Sequence, residues 1–156
     1  MENKLEIKLE SSDTGIFLIH GFGKTPKELH DLAYTFNKEG YTVYCPVLPG
    51  HGTSKNGETC PRDLFKTTPK DWEEGSLAAL RDFKRRVKRV FVGGVSLGAN
   101  IAMRISLREE VARIIVKDAP IFFTGIVRIG IMAVRIVEFI LRRKGVTHTY
   151  NTINQR

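Results

Sequence analysis

The sequence predicts an α/β fold, a mostly parallel sheet with helices on both faces, and three observations carry that expectation. First, four short runs rich in β-branched and aromatic residues are apolar without alternation, as in strands buried on both faces. They are Ile16-Phe17-Leu18-Ile19, Thr42-Val43-Tyr44-Cys45, Val90-Phe91-Val92 and Ile114-Ile115-Val116. Second, helical stretches lie between the runs. Third, strand–helix–strand alternation of this kind closes through right-handed crossovers, which makes the strands parallel and places helices on both sides of them.

Taken in order, Leu5-Glu6-Ile7-Lys8-Leu9 alternates apolar and charged residues and predicts a half-exposed edge strand. The first helix opens at Thr25-Pro26, a cap followed by proline at the first helical position, and runs to Lys38, where Gly40 stops it. The second covers Asp71 to Val87, with Trp72, Leu77, Leu80 and Phe83 on one side. The third follows Ser96 through Ala99, Ile101, Ala102 and Ile105. Residues 121–141 are apolar enough to raise the question of a membrane span. Arg128, Arg135 and Glu138 would each be costly near a bilayer centre, and Gly125 and Gly130 weaken an isolated helix. A mobile amphipathic lid, or an interfacial helix with its arginines at headgroup level, is the preferred reading of this segment. No repeat, low-complexity tract or linker rich in Pro, Gly or Ser divides the chain.

With 156 residues, 42% of them hydrophobic, the chain suits a single buried core. Its net charge of +8 is uneven: residues 1–80 hold 9 Lys/Arg against 12 Asp/Glu, residues 81–156 hold 16 against 5. The densest run is Lys84-Arg85-Arg86-Val87-Lys88-Arg89, without interleaved aromatic residues on which bases could stack, so no nucleic-acid partner is expected. It reads as a solvated helix end; composition leaves open a surface awaiting an acidic remainder of the fold. Cys45 and Cys60 lack metal-ligand spacing and read as free thiols. The charged N-terminus has no apolar signal core, which makes the cytoplasm the expected compartment.

Chemistry concentrates at Gly94-Val95-Ser96-Leu97-Gly98. As a bare string, G-x-S-x-G would occur by chance in about one chain of this length in twenty, at ~7% usage of each residue. Its context is what makes it informative: it sits directly after an apolar strand and directly before a helix, where a nucleophile elbow must be. The serine of such a turn is strained, and side chains two residues before and after it would collide as strand and helix pass. A second signal, His20-Gly21-Phe22-Gly23, follows the strand ending at Ile19 and can bring a backbone N–H towards the serine. A phosphate loop ending in Gly23-Lys24-Thr25 would need glycine where Leu18 stands, inside a strand.

Leu18-Ile19-His20-Gly21-Phe22-Gly23, Pro49-Gly50-His51-Gly52, Asp71-Trp72, Gly94-Val95-Ser96-Leu97-Gly98 and the strand ending in Ala119-Pro120 together resemble the carboxylesterase and monoacylglycerol-lipase branch of the α/β-hydrolases. The resemblance covers roughly residues 14–120, the first half of such a fold, so the sheet would end at an unpaired edge strand near Ile114–Val116. It implies a partial α/β-hydrolase fold with a hydrolase core over 1–120 and a helical cap-like segment and polar tail over 121–156. It further implies Ser96 as nucleophile and the backbone N–H groups of Phe22 and Leu97 as oxyanion donors. No metal or organic cofactor is implied. One departure is that Ala99-Asn100 stand where the family often has glycine.

In that branch the acid and histidine of the triad follow the serine on later loops, expected beyond Arg156. His20 belongs to the oxyanion loop, His51 to a structural turn, and His30 to a solvated helix face. Only His148, in the tail, follows Ser96 as a candidate base, and Asp118 is an alternative acid. The resemblance therefore implies a serine hydrolase acting on acyl esters, completed by a complementary chain or a second copy that supplies histidine and acid. The alternative is a catalytically inactive fragment that binds acyl ligands or a partner. A third reading, contact of residues 121–144 with a membrane surface, also stays open.

Overall fold

The computed structural model describes residues 5–120. The cap-like segment and tail expected over residues 121–156, with His148, lie outside the described residues. Five strands, β1 (Ile7–Leu9), β2 (Thr14–Ile19), β3 (Thr42–Cys45), β4 (Arg89–Val95) and β5 (Arg113–Lys117), form one sheet in the order β1-β3-β2-β4-β5. β1 runs antiparallel to β3; the pairs β2–β3, β2–β4 and β4–β5 are parallel. The sequence expectation of a mostly parallel sheet with an alternating edge strand is met.

β2 shows why its residues form a central strand. Successive side chains leave opposite faces, and both faces are covered. Phe17 and Ile19 enter a cluster with Leu77, Leu80 and Phe83 of α3 (Pro69–Lys84) and Ile101, Ala102 and Ile105 of α4 (Leu97–Ser106). Ile16 and Leu18 point the other way, against Leu29, Ala33, Val43 and Cys45. The second face is covered by a 3-10 turn, Pro26–Leu29, leading into α1 (His30–Lys38). Each buried Leu, Ile or Phe contributes about 1.5–3 kcal/mol relative to exposure, so the two clusters fix the register of β2 against both neighbours.

Several boundaries differ from the sequence expectation. Thr25 occupies the N-cap position, but its side chain makes no capping bond, and Pro26–Leu29 is 3-10 rather than α. α3 opens earlier than Asp71, at Pro69. There Thr68 accepts from the Asp71 amide while the Asp71 carboxylate accepts from the Thr68 amide, a reciprocal cap. The Thr68 hydroxyl also donates to the Asp71 carboxylate, and that bond, with the one from the Thr68 amide, holds the Asp71 carboxyl below its ordinary range. A four-residue helix, α2 (Pro61–Leu64), has no counterpart in the expectation.

β5 departs most. Its apolar run predicted burial on both faces, yet Ile114, Ile115 and Val116 are 43%, 44% and 42% exposed. The reason is position: β5 is the outer strand, and among the described residues its only sheet neighbour is β4.

The basic run closes α3 as a solvated end. Arg85 and Arg86 pair with Asp82, Lys88 with Asp13, and Lys84 with Glu109. Arg104 of α4 reaches Glu73, and Arg108, just past the helix end, reaches Glu73 and Glu74, tying this end of α4 to α3. No helix among the described residues is long and apolar enough to cross a membrane.

Candidate active site

β2 and β4 are adjacent and parallel, with Ile19 opposite Gly94, so the loops leaving their C-terminal ends emerge side by side. In open α/β sheets that edge is where sites are built. One loop carries His20–Thr25, the other is the turn at Ser96.

Ser96 has φ 54° and ψ −117°, a conformation that costs a non-glycine residue about 1–3 kcal/mol and persists only where its surroundings enforce it. Three contacts do so. The Ser96 amide donates to the Lys117 carbonyl of β5 at 3.0 Å, and the Ser96 carbonyl accepts from Ala99 and Asn100, starting α4. The third is close packing on either side. A Cβ on Gly94 would stand 2.3 Å from the Gly98 carbonyl carbon and oxygen, and one on Gly98 would stand 2.1 Å from the Ile19 carbonyl oxygen. Both glycines of the motif are thus required by backbone atoms that cannot step aside. Ser96 itself is partly exposed. Leu97 is the first residue of α4, so its N–H has no acceptor within the helix and lies at the positive end of the helix dipole.

The facing loop is held at the His20 ring and at both backbone polar atoms of Gly21. His20 is fully buried; its Nε2 accepts the Leu48 amide at 3.1 Å, which leaves the proton on Nδ1, donated to the Gly21 carbonyl at 3.0 Å. Burial pushes the His20 pKa down to about 4, so the ring is neutral. The Lys24 amide also donates to the Gly21 carbonyl, at 3.2 Å. On its other side, the Gly21 amide donates to Glu28 Oε2 at 2.7 Å. No peptide bond among the described residues is cis. In a trans peptide the C=O and the following N–H point in opposite directions, so the Phe22 N–H is turned away from His20 and Lys24. A Cβ on Gly21 would stand 3.7 Å from Ser96 Cβ, which brings this loop and the serine together.

The Phe22 ring is 51% exposed and rests edge-on against His51 and Trp72, centroids 6.2 and 5.6 Å away. His51 is buried in the Pro49–Gly52 turn with Nδ1 on the Pro49 carbonyl at 3.0 Å; burial lowers its pKa as well. Its Nε2 has no hydrogen-bond partner among the described residues. Trp72 Nε1 donates to Thr67 Oγ1 at 2.8 Å, tying this aromatic floor to the segment before α3.

Asp118 follows β5 directly, with φ 53°, and its carboxylate is exposed and pairs with Lys117 Nζ at 3.4 Å. No hydrogen bond joins it to a histidine among the described residues. His30 is exposed on α1, beside Asp31 and Tyr34. The structure therefore brings Ser96, Leu97 and the Phe22 loop together and leaves Asp118 paired elsewhere. Two participants were missed from sequence, Glu28 and Thr67. Thr25-x-x-Glu28 has the spacing of a capping box, a signal that the glutamate reaches back to a backbone N–H. It does so, but to Gly21 rather than to the cap residue. Among the described residues no cluster of His, Cys, Asp or Glu has the arrangement of a metal site.

Comparison with known proteins follows the same lines. The family described as serine aminopeptidase, S33, matches residues 10–154. A thermostable monoacylglycerol lipase from Bacillus sp. (strain H-257) is 34% identical over 97 residues, covering 62% of this chain and 36% of that protein. A structure from the work on LipS and LipT, two metagenome-derived lipolytic enzymes, superposes with a TM-score of 0.64 at 30% identity, covering 71% of this chain and 44% of that one. The monoacylglycerol lipase of Paleococcus ferrophilus has the same fold, with a TM-score of 0.61 at 18% identity, covering 77% of this chain and 44% of that one. The chain spans less than half the length of each of these three proteins.

Proposed function

The chain belongs to this serine aminopeptidase family of α/β-hydrolases, and on that premise we propose that it is the nucleophile-bearing part of a serine hydrolase acting on carboxylic esters, either esters of medium acyl chains or monoacylglycerol-like substrates. The observation that carries the reading is the strained backbone of Ser96, φ 54°, with the Gly21 backbone packed beside it. In the proposed reaction Ser96 Oγ attacks the ester carbonyl carbon. The Phe22 and Leu97 amides stabilise the oxyanion of the tetrahedral intermediate, the alcohol leaves, and water releases the acid from the acyl-serine. The Bacillus monoacylglycerol lipase and the lipolytic enzymes among the similar structures support an ester substrate over other acyl donors.

Ser96 needs a proton acceptor, and the two buried histidines are unsuited to the task. Both ring nitrogens of His20 are engaged by backbone, and His51 is held against Pro49 beneath Phe22. We assign the base to residues outside those described, in this chain or in a complementary chain or second copy. The same observation favours one second reading, a fragment that binds acyl ligands without turning them over. Fluorophosphonate labelling of the chain separates the two. Labelling of the wild type and not of Ser96→Ala supports the hydrolase; a wild type that stays unlabelled between about pH 7 and 9, where a histidine base is neutral, both alone and in any assembly that supplies the acid and histidine, supports the binder.

A further inference from the structure

We propose that Glu28 is a positioning residue for the oxyanion loop: by holding the Gly21 amide it fixes the His20–Gly21 peptide, and so the start of the adjoining Gly21–Phe22 peptide that presents its N–H towards Ser96. This rests on the reading of Ser96 and Phe22 given above and adds a residue to it. A glycine between a strand end and an exposed phenylalanine has wide conformational freedom, so something must hold both of its polar atoms. Its carbonyl is held by Lys24 and His20; among the described residues its amide is held by the Glu28 carboxylate alone, at 2.7 Å.

The glutamate is itself well anchored. It sits in the turn Pro26–Leu29, whose Pro26 and Leu29 are both buried against the sheet. A Cβ on Gly21 would lie 3.2 Å from Glu28 Oε2 and 3.7 Å from Ser96 Cβ, so carboxylate and nucleophile flank the same α-carbon. Glu28 contacts the loop's backbone and not the reacting atoms. Its expected effect is on how well the oxyanion is held.

The test compares wild type, Glu28→Ala and Glu28→Gln in the full chain, or in its active assembly if turnover needs a partner. Three quantities are read: the rate of fluorophosphonate labelling, kcat and KM on a short p-nitrophenyl ester, and hydrogen exchange of the Gly21 amide. Glu28→Ala is expected to slow labelling and lower kcat by about 10- to 100-fold, with KM within about twofold, as for loss of an interaction made in the transition state. Glu28→Gln, whose amide oxygen still accepts the Gly21 N–H, is expected to recover most of that loss. Gly21 exchange should quicken in Glu28→Ala and stay slow in Glu28→Gln. Wild-type rates in Glu28→Ala would overturn the proposal, as would a glutamine variant as slow as alanine. An unlabelled wild type would count against the Ser96 reading instead. Gly21 exchange then decides the tether alone, quickening in Glu28→Ala supporting it and an unchanged rate overturning it. Should the alanine variant fail to fold, Glu28→Asp, one methylene short of Gly21, takes its place.

Discussion

Replacing Gly98 by alanine tests the elbow at its tightest point. The added methyl would lie 2.1 Å from the Ile19 carbonyl oxygen and 2.6 Å from that of His20, both backbone atoms. A carbon and a carbonyl oxygen rest about 3.3 Å apart at closest, so α4 must retreat from β2 by on the order of 1 Å. Overpacking against atoms that can yield costs about 1–3 kcal/mol; with backbone on the far side the upper end applies. A loss of about 3 kcal/mol corresponds to a fall of roughly 10 °C in Tm for a chain of this size. Leu97 precedes Gly98 in the same helix turn, and a misplacement of about 1 Å costs on the order of 100-fold in rate. Gly40→Ala is the control: its φ is +88° but a Cβ there meets nothing within 4 Å, so only backbone strain of about 1–2 kcal/mol is added. Melting curves and labelling rates of the two variants give the answer. If Gly98→Ala melts no lower than Gly40→Ala and labels like wild type, the steric account of the motif is wrong.

Other perturbations follow from the same geometry. Ser96→Gly should abolish labelling yet raise stability by about 1 kcal/mol, because glycine accepts φ 54° without strain; a destabilised variant would show that the serine is not strained there. The depressed pKa of His20, about 4 in the fold against 6.5 when exposed, means the unfolded chain binds the extra proton first as pH falls. Its contribution is therefore complete above pH 6.5 and is lost down to about pH 4, on the order of 3 kcal/mol. Urea titrations across that window should show the slope in wild type and a flatter one in His20→Gln. Ile115→Lys, at a side chain 44% exposed, should shift stability by no more than about 0.5 kcal/mol, whereas Val92→Ala, fully buried one strand away, should cost about 2 kcal/mol. Equal costs would mean that β5 is covered in solution.

The elbow was legible from sequence because its requirement is steric and local. Two glycines flank the serine at fixed offsets, and the structure supplies the backbone atoms that exclude anything larger. β2, β3 and β4 were legible for a similar reason, since burial on both faces demands uninterrupted apolar residues. The same pattern misled at β5. Ile114-Ile115-Val116 has the composition of Val90-Phe91-Val92, and only sheet order, a tertiary fact, separates an outer strand from an inner one. Glu28 was hidden differently. Its bond to Gly21 spans seven residues from a turn to a loop, where neither a helical nor a strand period applies. The spacing from Thr25 announced that it would reach back, but not to which amide. The Thr67–Trp72 tie was likewise out of reach, because α2 is too short to leave a periodic trace.

In the proposed site, Ser96 and the amides of Phe22 and Leu97 face one reacting carbonyl. A crystal structure of the chain, or of its active assembly, after reaction with a fluorophosphonate measures this directly. The account predicts phosphorus on Ser96 Oγ, with the phosphoryl oxygen about 2.7–3.1 Å from both amide nitrogens. An adduct on another residue, or a phosphoryl oxygen turned away from the Phe22 nitrogen, would contradict it.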